Sequence, residues 1–176
     1  MSGTKKAVDL SEEFMETFLA TIDGENGKEI VRQIVRRFID CELPVKTKQY
    51  DQSCMEKTYR ILCFTKKSAE AVIINNRGMG RECMSIQVRI NDRDILNKID
   101  GFNQNIKDQI LNAKNCEYCS SNCEDKKYVF TYQTNEYVKC HFLCFNFFFQ
   151  NMGSNDIDGI MYIINNEIAY AQTRVK

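Results

Sequence analysis

The stretch YRILCFTKKSAEAVIINNRGMGRECMSIQVRI, residues 59–90, decides the fold. Tyr59 to Phe64 is rich in apolar and β-favouring residues, and Ala71 to Ile74 is a short apolar run. Met84, Ile86, Val88 and Ile90 then alternate with Ser85, Gln87 and Arg89, the period of a half-buried strand. The links Lys66-Lys67-Ser68 and Asn75 to Gly80 are short enough for hairpins, so the reading is an antiparallel meander of three or more strands. Asn76-Arg77-Gly78-Met79-Gly80 has two glycines of a phosphate loop but neither the third nor the Lys-Ser/Thr ending, and reads as a turn.

On the N-terminal side the period changes to that of helices. Ser11 is placed to cap a helix in which Phe14, Met15, Phe18, Leu19 and Ile22 recur at three and four residues. A second helix is expected from Asn26, with Glu29 completing a capping box and Ile30, Val31, Ile34, Val35 and Phe38 on one side. Arg32, Arg36 and Arg37 read as its wet face. Residues 42–55 are polar, hold the only proline, and read as a connector.

Beyond the meander, Asn91 or Asp92 caps helical sequence carrying Ile95, Leu96 and Ile99; Gly101 interrupts it before Ile106, Ile110 and Leu111. Tyr128 to Tyr132 and Tyr137 to Cys140 flank Gln133 to Glu136 as a hairpin. Phe142 to Phe149 reads as a central strand buried on both faces. A closing helix follows, with Ile157, Ile160, Met161, Ile164 and Ile168 on one face and Asp156 and Asp158 in its first turn. Segregated helices and successive hairpins give an α+β class: an antiparallel sheet with N-terminal helices, then a cysteine-rich, zinc-ribbon-like C-terminal module with a closing helix. The expected division is residues 1–114 and 115–176, packed as one compact unit.

The chain has 176 residues, 43% of them hydrophobic and 27% charged, which is ordinary for a globular protein with a real core. Lys and Arg total 24 and so do Asp and Glu, which removes the net attraction that non-specific nucleic-acid binding needs. The first ten residues contain no apolar h-region, and no apolar run reaches the ~20 residues of a bilayer span. The expected location is the cytoplasm. There the nine cysteines are expected to stay reduced, and clustered ones read as ligands before disulfides.

Five of them cluster. Cys116, Cys119 and Cys123 form C-x2-C-x3-C, and Cys140, His141 and Cys144 form C-H-x2-C. Two cysteines two residues apart can turn both sulfurs toward one point, and a second pair arriving through a hairpin can close a tetrahedron around zinc. Cys116, Cys119, Cys140 and Cys144 are the first choice of ligands, with Cys123 the substitute. The first three sit among Glu117, Tyr118, Ser120, Ser121, Asn122, Glu124 and Asp125, a polar context that gives no packing reason for three buried thiols. An iron–sulfur cluster ranks behind zinc, because the spacing differs from that of ferredoxins. His141, the only histidine, neighbours Cys140 in a strand and so diverges from it; a fifth-position ligand, a second-shell hydrogen bond or a surface position suits it better than catalysis. Cys41, Cys54, Cys63 and Cys83 are scattered and read as ordinary buried or surface thiols.

Residues of about 110–165 resemble small uncharacterised cysteine-rich bacterial proteins in which C-x2-C-x3-C is followed by a hairpin and a Lys-Cys-His-Phe-like segment, here Lys139, Cys140, His141 and Phe142. That resemblance implies a bacterial origin and no activity. The functional expectation is therefore an intracellular, non-enzymatic binding or regulatory protein with one structural zinc, acting on a protein or small-molecule partner. A redox or metal sensor built on the five thiols is the second reading, and a cysteine-dependent enzyme the third.

Overall fold

The computed structural model describes residues 8–51, 57–66, 69–76, 84–113, 127–140 and 147–173. The chain divides into two units, Met1–Ile86 and Gln87–Lys176. The class is α+β, with a largely antiparallel sheet and a C-terminal helix.

In the first unit α1 spans Glu12–Ala20. Ser11 Oγ accepts from Phe14 N at 3.1 Å, the cap expected from the sequence. Helix α2 spans Glu25–Asp40 and buries Ile30, Val31, Ile34, Val35 and Phe38. It begins earlier than the capping box at Asn26 predicts. Gly24, at φ 77°, turns the chain directly into the helix, and Glu29 bonds Gln33 one turn on. Arg32 and Arg36 lie on the wet face and meet Glu25, Glu29 and Asp40 only at 3.8 Å, exposed pairs that contribute little.

The end of α2 carries an identifiable strain. Glu42 N donates to Ile39 O and Leu43 N to Phe38 O, both at 2.9 Å, which is a Schellman closure. Its left-handed position, φ 54°, is held by a glutamate where glycine fits best. Glu42→Gly is expected to stabilise the protein by about 1 kcal/mol, read as a raised urea midpoint with an unchanged m-value.

The first-unit strands are β1 (Val8–Asp9), β2 (Val45–Asp51), β3 (Lys57–Lys66) and β4 (Ala69–Asn75), followed by β5 (Ser85–Val88) beside β4. β2, β3 and β4 form the antiparallel meander, with Val45 opposite Cys63 and Cys63 opposite Val72. β1 runs parallel to β2. The connector predicted over 42–55 therefore contains a strand. Val45 is its fully buried anchor, and the polar sequence Lys46-Thr47-Lys48-Gln49 hid the β period. Ile61 to Phe64 and Ala71 to Ile74 are buried along their whole length, so β3 and β4 are covered on both faces. Asn76 Oδ1 accepts from Tyr59 N at 2.9 Å and continues the β3–β4 ladder by one side-chain bond. Gly27 is needed where it stands, since a Cβ there would lie 2.9 Å from Ile22 Cγ2.

The second unit starts with a 3-10 helix, Arg93–Gly101, capped by Asp92, whose Oδ1 accepts from Asp94 N. Helix α3, Gln104–Leu111, is capped by Asn103. The break predicted at Gly101 is present. A two-stranded sheet follows: β6 (Lys127–Tyr132) against β7 (Asn135–Cys140). Its turn is only Gln133-Thr134, tighter than the four residues read from sequence, with Gln133 at φ 54°.

β8 spans Phe147–Gln150. Phe147 and Phe149 are buried but Phe148 is 40% exposed, so the strand has one wet side and the expectation of burial on both faces is corrected for these residues. Phe142 and Phe145 lie outside the described residues. A short 3-10 turn, Ser154–Asp156, leads into α4, Ile157–Thr173, which buries Ile160, Ile163, Ile164 and Ile168. Asp156 therefore precedes the helix, and its Oδ2 accepts from Gly153 N and Asn105 Nδ2.

Polar side chains pin these pieces together. The Gln109 amide on α3 exchanges two hydrogen bonds with the Gln150 backbone, at 2.7 and 3.0 Å, as a neighbouring strand would. Glu167, 1% exposed on the apolar face of α4, accepts from Asn91 N, Asn91 Nδ2 and Asp92 N.

Candidate metal centre

The cysteine pattern straddles the β6–β7 hairpin. Of the predicted ligands, Cys140 is the last residue of β7, while Cys116, Cys119, Cys123 and Cys144 lie outside the described residues, as does His141. Among the described residues no group of three or more His, Cys, Asp or Glu side chains is arranged to hold a metal. What the structure does define is the frame from which the cysteine-bearing segments depart.

That frame has three corners. Residue 113 follows the end of α3, Lys127 opens β6, and Cys140 closes β7. The register pairs Lys127 with Cys140 and Tyr128 with Lys139, so the strand that follows the C-x2-C-x3-C run starts directly opposite the first cysteine of the second pair. Lys139 supplies the third side. Its Nζ donates to Leu111 O, the last carbonyl of α3, at 2.6 Å and to Ala113 O just beyond the helix at 2.8 Å.

An ammonium at a helix C-terminus is favoured by the macrodipole as well as by the two bonds. Partial burial pulls the Lys139 ammonium below the usual lysine range. Lys139 thus ties residue 113 to β7, the strand whose last residue, Cys140, is paired with Lys127.

The hairpin is anchored further along by aromatic packing. Phe130 is 3% exposed and stacks on Tyr137 with ring centroids 5.5 Å apart, and β6 packs against the 3-10 helix Arg93–Gly101. The anchor involves no cysteine. Lys139→Met removes the ammonium that closes α3; water replaces part of the loss at this half-exposed site, and the expected cost is about 1 kcal/mol. Faster amide exchange in residues 109–113 would report it.

The remaining described cysteines behave as the sequence suggests. Cys63 is fully buried, and desolvation pushes its thiol well above the usual range, so it is inert. Cys41 is half-buried and free. Cys54 and Cys83 lie outside the described residues.

Comparison with protein-family models, curated proteins and solved structures returned no match.

Two structurally important positions carry little warning in the sequence. Lys139 figured there only as part of a Lys-Cys-His-Phe run, and its partner carbonyls twenty-six and twenty-eight residues away are a tertiary fact. Glu167 did not figure there at all, and its partners at Asn91 and Asp92 are again a tertiary fact.

Proposed function

We propose that this chain is a non-enzymatic binding or regulatory protein whose second unit is stapled by one structural zinc. The ligands come from Cys116, Cys119, Cys123, Cys140 and Cys144, in a zinc-ribbon-like module around the β6–β7 hairpin. The observation that carries this reading is the convergence of α3, β6 and β7 at Lys139: it gives both cysteine groups a common root, as one tetrahedral site needs. Four thiolates leave no open position for a water, so the metal supports folding and not catalysis. Bound zinc would hold the loop ends together, and the chain's own residues, Lys139 and Phe130, set where that loop is rooted.

Cobalt is the direct probe. Replacing zinc with cobalt(II) is expected to give the intense thiolate charge-transfer and tetrahedral ligand-field bands, lost in Cys116→Ser and Cys140→Ser and retained in Cys41→Ser. Absence of those bands from the wild-type protein would refute the site.

The second reading, redox or metal sensing, rests on the fifth thiol beyond the four ligands. It requires that mild peroxide release zinc reversibly with disulfide formation; an inert site ends it.

A further inference from the structure

A surface pocket of about 310 Å³ opens in the second unit between the 3-10 helix Arg93–Gly101 and the first turns of α4. Its lining is Lys98, Gly101, Phe102, Asp158, Gly159 and Tyr162. The volume is at the lower end for small-molecule sites. Phe102 is nearly buried and forms the floor, while Tyr162, 41% exposed, stands as a wall; their rings meet edge to face at 5.9 Å. A Cβ at position 101 would meet nothing within 4 Å, and one at 159 would touch Phe102 and Ile106.

The charges decide the occupant. Lys98 Nζ donates to the Tyr162 hydroxyl at 3.4 Å, so a cation and a phenol share one edge. Asp158 lines the same pocket, and among the described residues neither Lys98 nor Asp158 is in an ion pair. A lysine and an aspartate that share an aromatic pocket without pairing present a separated plus and minus.

We infer that this pocket binds a small aromatic zwitterion of the amino-acid class: carboxylate on Lys98 and the Tyr162 hydroxyl, ammonium on Asp158, ring against Phe102 and Tyr162. Each end forms a charge-assisted hydrogen bond, and the ring takes the apolar floor. A ligand with only one charge leaves the opposite group unmatched. This inference is independent of the zinc reading.

The test is a titration of the full-length protein as purified with L-phenylalanine, followed by the Gly101 and Gly159 amide resonances. Saturable shifts at both glycines are expected, with phenylacetate and phenethylamine each at least about tenfold weaker. Lys98→Ala and Asp158→Asn should each weaken L-phenylalanine by about tenfold or more with thermal unfolding unchanged, since both positions are exposed. No saturable shift up to the solubility limit would overturn the proposal. So would equal affinity in either variant, or equal affinity for either singly charged analogue.

Discussion

Glu167→Ala is expected to destabilise the protein by about 3 kcal/mol, because it strands three donors at once. Asn91 N at 2.7 Å, Asp92 N at 3.0 Å and Asn91 Nδ2 at 3.0 Å all end on the Glu167 carboxylate. These groups begin the 3-10 helix, so the loss falls on the junction between that helix and α4. For a chain of this length the midpoint of thermal unfolding should fall by about 10 °C.

The same residue makes a pH prediction. Burial pushes the Glu167 carboxyl above the usual carboxylate range, and the nearby Asp92 charge adds to this; the three hydrogen bonds pull the other way but do not cancel it. The folded state therefore holds the proton more tightly than the unfolded state. The stability this adds is complete below the unfolded pKa, about 4.3, and is lost as pH rises through the folded value. Glu167→Gln has no such loss. Relative to that variant, the wild-type protein should lose stability as pH rises above about 4. Denaturant midpoints of both proteins across that range decide it, and a wild type that gains on the variant as pH rises would show that the hydrogen bonds outweigh desolvation.

Phe130→Ala is the second large effect, about 3 kcal/mol, through deletion of a buried ring from the two-stranded sheet. Phe130 is the buried residue among the described side chains of that hairpin, where Val129 and Val138 are exposed. Detaching the hairpin separates β7 from α3 and breaks the frame that Lys139 closes. Zinc affinity should fall with stability in this variant even though no proposed ligand is changed. Measuring metal retention against a chelator beside the unfolding midpoint tests both.

The fold class was legible because its strongest signals are periodic. Ile86 and Val88, Ile30 to Phe38 and Ile160 to Ile168 each repeat at the spacing of the element they form, and all are buried. β2 was not legible: a strand with one buried anchor, Val45, followed by alternating lysines carries almost no apolar period. Phe148 misled in the opposite direction, since aromatic composition alone cannot say that one face of β8 is wet.

The cysteine pattern gave residue types and spacings, and the structure adds the contacts of the β6–β7 hairpin between them. Those contacts rest on a lysine and two backbone carbonyls, groups whose partnership no local pattern encodes. The charged pocket was equally hidden, because Lys98 and Asp158 are sixty residues apart and each reads alone as a solvated helix residue.

Elemental analysis of protein purified anaerobically without chelator, together with its ultraviolet and visible spectrum, tests the central claim most directly. The account predicts one zinc per chain, no visible absorption, and loss of the metal with weakened folding of the second unit in Cys116→Ser and Cys140→Ser. Protein that carries no metal, or carries iron with visible absorption, would contradict it.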